Sequence, residues 1–436
     1  MTQARSIRNW GKTFTYTPKS LFYPTHKEEI LSLVAHCNQQ RQQVRPLGSR
    51  YSYTPLICSE EVAISLDDYS GIEEINPEEL TVIVRAGTKI SLLEQELFSR
   101  GYSLYNLGDI NQQTIAGLIA TGSHGTGSQF GIASTQVVWI ELVTADGKIV
   151  ECSPTLNPEL FKAAQVSLGT LGIITRIKLK ILPRYYLHQE RTVTHFEEAM
   201  AHFYESIQEN RNYEFFWFPY TDFVYEKRHN LASQTTGPHR YKKLFNDYVL
   251  ENGALWCLCE MAHAMPAFYR KHANGLLKKL SCSLDETIPS IECYATTRWV
   301  NHREIEYSIP VEEALNTLQE IRQLLNEHPT HVSFPVEVRY VKADDIYLSP
   351  NYQRNTVWIA VHAYTRDEHE AVFKDVEQVF LQHHGRPHWG KMHWLEHEQI
   401  KDLYPCLSQF KKIQHQLDPQ GIFLNGYLRK LLGIVN

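Results

Sequence analysis

The densest concentration of chemically useful positions is the run Ala120-Thr121-Gly122-Ser123-His124-Gly125-Thr126-Gly127, preceded by Ile115-Ala116-Gly117. Glycine tolerates positive φ and lets a ligand reach the bare main chain. Main-chain N–H groups at such a turn, with the hydroxyls of Ser123 and Thr126, are donors of the kind that grip pyrophosphate oxygens. The spacing is neither G-x-G-x-x-G nor G-x-x-x-x-G-K-[ST], which removes the basis for a Rossmann or P-loop reading. A glycine cluster is also ordinary for a surface loop, so the run does not decide alone. Two further segments share its character. Val44-Arg45-Pro46-Leu47-Gly48-Ser49-Arg50-Tyr51-Ser52 reads as a strand running into a glycine turn. Ser167-Leu168-Gly169-Thr170-Leu171-Gly172 leads into an alternating strand from Ile173 and Ile174 to Ile181. Three such turns at strand ends suit an extended ligand with a diphosphate middle.

The second half carries a different chemistry. Glu337 and Arg339 stand two apart in an apolar strand pattern and so share a face. By spacing alone they read as a surface ion pair, worth under about 1 kcal/mol. Trp358, Ala360 and His362 share a face of another strand, where a lone His is usually structural. Arg386-Pro387-His388-Trp389-Gly390-Lys391-Met392-His393 gathers polar groups around a glycine, as an exposed basic loop also does.

The elements that must position these groups mix helix and strand. Thr25 to Glu28 reads as a capping box before the stripe Ile30, Leu31, Leu33, Val34, Cys37. Ser91 to Glu94 reads as a second box, with Leu93 and Leu97 on one face and Gly101 as the stop. Residues 81–87 form a short strand. Residues 137–152 form two strands joined at Asp146-Gly147, a hairpin signal. After Pro183 the texture becomes aromatic over 213–226, then charged and uneven over 227–290, which predicts loops and short helices. A helix is expected from Pro310, near its N1 position, to Asn326. Strands are expected at 331–341 and 356–364, and a helix at 368–384. The segment from Leu417 to Tyr427 is expected to return the chain to its first domain. The expected class is α+β in two domains, residues 1–183 and 184–415, with a returning segment 416–436.

Composition bounds the partners. At 436 residues the chain is long enough for two domains. A net charge of −6 argues against nucleic acid. No apolar window is long enough to span a bilayer and the N-terminus lacks the apolar stretch of a signal peptide, so no transmembrane segment is expected. Cysteines 37, 58, 152, 257, 259, 282, 293 and 406 are scattered, and Cys257 and Cys259 are too close for a zinc knuckle. Free thiols in a reducing cytoplasm and no metal site are the expectation.

The three glycine segments, in order and spacing, resemble the vanillyl-alcohol-oxidase-type flavoproteins over residues 10–183. Glu337-Val338-Arg339, the Leu348-Ser349-Pro350 turn, the segment His388 to Lys391, and the segment from Asp418 to Asn425 resemble the sugar-1,4-lactone oxidase and alditol oxidase branch. The resemblance implies an N-terminal PCMH-type FAD-binding domain and a C-terminal antiparallel-sheet substrate domain. It implies FAD contacts from Pro46, Gly48, Ser49, Arg50, Tyr51 and Ser52, from Gly108, Gly117 and the run Thr121 to Gly127, from Ser167, Gly169, Gly172 and Ile174, and from Asn425. It implies Glu337, Arg339 and Lys391 in the substrate pocket, with His362 on a strand that also reaches it. The implied reaction is hydride transfer from a sugar lactone or polyol to the flavin.

Two departures stand out. Many members attach FAD covalently through a His in a Gly-x-x-His-Ser turn, and Tyr51 takes that place here, so FAD is expected to be non-covalent. Asp109 stands where the alditol oxidases carry Ser, which implies different hydroxyl recognition. Family dehydrogenases tend to carry Ala at the position of Gly108, whose methyl blocks dioxygen. Gly108 therefore predicts O2 as acceptor and peroxide as product. The alternatives are a dehydrogenase using a quinone or cytochrome, an alditol oxidase, and a flavin-binding protein without catalysis.

Overall fold

The computed structural model describes residues 6–233, 283–294, 300–327 and 334–434, with the isolated positions 256, 259, 260 and 263. Helices and mostly antiparallel sheets are mixed, as an α+β chain requires. After a short antiparallel pair, Ile7–Arg8 and Thr15–Tyr16, comes a parallel sheet of Ser20–Phe22, Val62–Ser65 and Val44–Leu47, with helix Lys27–Gln40 between its first strand and Val44–Leu47. An antiparallel sheet follows, ordered Ile149–Cys152, Val137–Val143, Ile173–Lys180, Thr81–Arg85, Ile72–Asn76. The expected hairpin at Asp146-Gly147 is its outer pair, with Gly147 at φ 75°. The two parts are locked by Glu141, whose buried carboxylate takes Lys27 Nζ at 2.9 Å and also pairs with Arg176.

The chain after Pro183 carries one eight-stranded sheet. Its order is Leu284–Pro289, Tyr186–His195, Phe223–Ala232, Asn212–Trp217, Val336–Val341, Thr356–Tyr364, His302–Pro310, Arg386–Pro387. Strand alternation puts Phe215, Val338, Ile359, Val361, Ile305 and Tyr307 on one buried face. Helix Ala314–Glu327 packs on strands His302–Pro310 and Thr356–Tyr364, and helix Glu370–Gln382 on His302–Pro310. The opposite face carries the polar residues described below.

Several local expectations fail for identifiable reasons. The first helix starts one residue later than the Thr25 box implies: Glu29, not Glu28, accepts from the N–H groups of Thr25 (2.7 Å) and His26 (3.1 Å). Ser91 is no cap. Helix Ile90–Ser99 starts after Lys89, and the N–H groups of Ile90 and Ser91 go to the carbonyls of Gln113 and Asn111 instead. Phe223–Ala232 and Leu284–Pro289 are strands within the stretch expected to be loops and helices. Their charges are paired, Lys227 with Glu214 (3.0 Å) and Arg228 with Glu226 (2.9 Å), so polarity does not mark a loop there. The remainder of that stretch, like residues 331–333 of the expected strand, lies outside the described residues. Pro310 ends a strand, and the helix follows a 3-10 turn, Val311–Glu313.

The described cysteines 37, 58, 152, 259, 293 and 406 are free thiols. No helix among the described residues is long and apolar enough to cross a membrane.

Thr126 and Gly127 join the two halves. Thr126 Oγ1 donates to the Tyr213 carbonyl, Asn212 Nδ2 donates to the Thr126 carbonyl, and Gly127 N–H donates to the Tyr340 carbonyl at 2.9 Å. Gly127 sits at φ 135°, and a Cβ there would lie 2.4 Å from the Arg211 carbonyl oxygen. Gly127→Ala is therefore expected to destabilise the protein by at least about 1–3 kcal/mol, the scale of one forced backbone conformation. A thermal melt with the same midpoint as the parent protein would contradict that placement.

Candidate active site

A glycine-floored cleft of about 880 Å³ opens between the turn after Val44–Leu47, helix Ile115–Ala120 and the turn at 167–172. Pro46, Gly48, Ser49, Arg50, Tyr51, Ser52, Gly117, Thr121, Ser167, Gly169, Gly172 and Ile174 line it. Gly48 and Gly117 lie back to back: a Cβ on Gly48 would meet Thr114 Oγ1 at 2.8 Å and the Gly117 Cα at 3.7 Å. The Ser49 hydroxyl is buried and has no hydrogen-bond partner among the described residues. Bare main chain plus an unpaired hydroxyl is a donor set suited to a diphosphate, so the residues present fit FAD.

Arg45 holds the walls of this cleft. It is 1% exposed and donates from Nε to the Leu56 carbonyl (3.0 Å), from Nη2 to Leu168 (2.7 Å), and from Nη1 to Gly169 (2.6 Å) and Phe423. Leu168 adopts φ 52°, unusual for a branched residue, beside this interaction. Burial pulls the guanidinium down only to about 10, so it stays charged at neutral pH under the cleft. The composition of its segment gave no sign of this role.

Not every expected contact reaches the cleft. The Thr126 hydroxyl is spent on Tyr213, which corrects its reading as a phosphate donor, and Gly127 pairs with Val341. Gly122 turns the chain at φ 71°. Ser123 and His124 line a second cavity, and Gly125 a small neighbouring one. Asn425 caps the last helix by accepting from Leu428 N–H at 2.8 Å, and its Nδ2 donates to the carbonyls of Pro55 and Cys58. Its amide is used up on main chain, so its expected contact with the cofactor is not supported.

The second cavity, about 930 Å³, shares Gln113 with the cleft. Its floor is the polar face of the eight-stranded sheet. Glu214 pairs in register with Arg339, Phe216 with Glu337, Glu337 with Ala360, Ala360 with Glu306, and His362 with Glu304. Strand pairing thus brings Glu337, Arg339 and His362 together as expected. Lys391 arrives on the loop after Arg386–Pro387, held by Met392 N–H to the Glu304 carbonyl (2.9 Å). That loop is also tied to the first glycine turn, through Tyr53 N–H to the Gly390 carbonyl (2.7 Å) and Thr54 Oγ1 to the Trp389 carbonyl (2.9 Å).

Each cation is ringed by carboxylates. Arg339 meets Glu214 (2.9 Å), Asp109 (2.9 Å) and Glu337. Asp109 therefore serves to hold Arg339, which accounts for an acid at that position. Lys391 contacts Glu304 and lies 3.9 Å from Glu306. Burial pushes the Glu337 carboxyl up to about 7; Arg339 opposes this, and Asp109 and Glu214 add to it. Burial acts the same way on Glu304, but Lys391 and His362 outweigh it and hold that carboxyl well below its usual range. Glu306 is held at about 2 by His124 and Lys391 against its burial. His124 lies against the Trp358 ring (4.0 Å) with Nε2 3.1 Å from Glu306. His388 is pulled to about 3 by burial and accepts from Gly390 N–H at Nδ1, which leaves its proton on Nε2.

Glu214, Glu304 and Glu306 were not singled out from the sequence. The signal was present: Glu304-Ile305-Glu306 alternates as Glu337-Val338-Arg339 does. Gly108 lines the second cavity, but its missing Cβ would lie 2.7 Å from the His124 carbonyl oxygen. Main-chain packing accounts for this glycine, and the expectation that it opens a path for dioxygen loses its support.

Comparison with known proteins follows this geometry. The model of the D-arabinono-1,4-lactone oxidase family matches residues 177–431, and that of an FAD binding domain matches residues 18–153. The L-gulono-1,4-lactone dehydrogenase of Mycobacterium tuberculosis is 31% identical over 425 residues, covering 98% of each chain. The L-gulonolactone oxidase of Scyliorhinus torazame is 30% identical over 437 residues, again covering 98% of each. The crystal structure of cholesterol oxidase from B. sterolicum superposes with a TM-score of 0.83 at 16% identity, covering 98% of this chain and 97% of that one, a likeness of fold. The chain belongs to the D-arabinono-1,4-lactone oxidase family and is an FAD-dependent oxidoreductase acting on CH–OH groups.

Proposed function

We propose that the protein oxidises an uncharged sugar 1,4-lactone, with FAD bound non-covalently across the cleft and the second cavity. The observation that carries this reading is the meeting of the two at Gln113, which sets a ringed Arg339 and Lys391 beside a diphosphate cradle. FAD, when bound, supplies the hydride acceptor. The rest is the work of side chains. Arg339 offers its planar fork to lactone or hydroxyl oxygens. Glu337, with its carboxyl near 7, takes the hydroxyl proton as the carbonyl forms. Lys391 offsets negative charge that accumulates as hydride is transferred.

The charge inventory favours a neutral substrate. Arg339 contacts three carboxylates and Lys391 two, so an aldonate or sugar phosphate would have to displace one of them. Relatives named as lactone oxidase and lactone dehydrogenase support the same substrate class. Those names differ in acceptor, and both describe the donor half-reaction outlined here.

Three outcomes test the reading. Under anaerobic conditions a sugar 1,4-lactone should bleach the flavin, and Arg339→Ala or Lys391→Ala should slow bleaching by at least roughly 100-fold while keeping FAD. Normal reduction rates in both variants would remove those side chains from the chemistry. Acid precipitation should leave the flavin in the supernatant, because Tyr51, stacked on Trp10 at 5.6 Å, offers no imidazole nitrogen. Yellow colour retained in the pellet would refute non-covalent binding. Arg45→Lys keeps the charge but cannot serve every carbonyl, and each buried one left bare costs about 1–3 kcal/mol. That variant should melt earlier and carry less than one flavin per chain, read from visible absorbance against protein.

A further inference from the structure

The wall of the second cavity contains a cluster whose two histidines the proposed reaction does not use. His302 and Glu304 are two apart on strand His302–Pro310 and so share its face. His362 stands directly opposite Glu304 in the neighbouring strand. One donor atom from each of the three lies within 4.8 Å of the others, and all three side chains are buried.

The orientation of the rings is the second observation. His302 Nδ1 lies 3.2 Å from the Val300 carbonyl and His362 Nδ1 lies 2.9 Å from the Pro335 carbonyl. A carbonyl only accepts, so each Nδ1 donates outward and each Nε2 faces inward, towards Glu304. Metal-binding histidines are held in this way. The Nε2 atoms lie 3.7 Å and 3.5 Å from Glu304 oxygens. Those distances exceed a good hydrogen bond. They approach the ligand–ligand edge of a tetrahedral zinc site, roughly 3.4 Å for bonds near 2.0–2.1 Å. Glu337 Oε2, 4.0 Å from His362 Nε2, closes the side towards the substrate.

We propose that His302, Glu304 and His362 bind a divalent transition-metal ion, and that its occupancy blocks the lactone by drawing Glu304 away from Lys391. Two imidazoles and one carboxylate select zinc or cobalt over calcium or magnesium. The charges facing the ion are Lys391, which opposes it, and Glu306 and Glu337, which favour it. The site is an inhibitory one, since Glu304 is also the nearest partner of Lys391. The blocking half of the proposal rests on the lactone reading above; the binding half does not.

Calorimetric titration of the flavin-loaded protein with Zn2+, in a buffer that does not chelate it and without substrate, tests binding alone. Saturable binding near one ion per chain is expected. His302→Ala and His362→Ala should each weaken it by at least roughly 100-fold, beyond the loss typical of a supporting residue. Absence of saturable binding, or affinity unchanged in both variants, overturns the site. Should either variant lose its fold, X-ray absorption of the zinc-loaded parent decides: two nitrogens and oxygen near 2.0–2.1 Å support the site, and a sulfur or all-oxygen shell overturns it. Zn2+ should also raise the apparent KM for lactone with little change in kcat. Zn2+ bound at the cluster with KM unmoved overturns the blocking step. A metal-free enzyme that no lactone reduces would instead count against the lactone reading, and leaves the calorimetry valid.

Discussion

The arrangement depends on one short crossing of main chain. Thr126 and Gly127 leave the glycine-rich turn and pair with Tyr213, Tyr340 and Val341 on the strands that carry Glu214, Glu337 and Arg339. Each of these bonds has main chain on at least one side, and the side chains that complete them, those of Thr126 and Asn212, are buried. The residues just before them divide the two spaces: Thr121 lines the cleft, and Ser123 and His124 line the second cavity. A second tie, between residues 53–54 and 389–390, fixes the Lys391 loop to the first glycine turn. Together they tie the sheet face that carries Arg339, and the loop that carries Lys391, to the glycine turns through the fold itself.

That rigidity allows an unusual density of buried charge. Asp109, Glu214, Glu304, Glu306 and Glu337 surround Arg339 and Lys391 with little access to water. Isolated, any of them would be expensive to bury. Sharing solves this unevenly. The carboxylates closest to a cation or to His124 ionise readily, whereas Glu337 retains its proton to about 7. A carboxyl poised near neutrality beside acids that stay ionised is the division of roles that acid–base chemistry needs. Burial and the like charges of Asp109 and Glu214 produce it, and both come from the same sheet face and the adjoining loop.

Much of this was legible in the chain. Glycines at strand ends mark the cradle, and a Cβ on Gly48 would stand only 2.8 Å from Thr114 Oγ1. Alternation places Glu337 with Arg339 and Trp358 with His362 on shared faces without any structure. The rest was hidden for physical reasons. Glu304 and Glu306 sit in a strand whose polar face is buried, so their charge reads as exposure and the segment reads as a helix approach. Arg45 looks like one polar position in a short strand, since its partners are carbonyls up to 378 residues away. The start of helix Ile90–Ser99 carries no capping side chain because the carbonyls of Asn111 and Gln113 do that work. Contacts to distant main chain leave no mark on local composition.

The case of Gly108 shows how the same residue can support opposite arguments. From sequence, the missing methyl suggests a passage for dioxygen. In the fold, the missing methyl is where the His124 carbonyl already stands, 2.7 Å from the would-be Cβ. A close approach of two main chains requires glycine whatever the acceptor is. The two relatives at 31% and 30% identity carry names that differ in acceptor. The donor side is built by strand register, which changes slowly because a slip of one residue would turn every side chain to the other face.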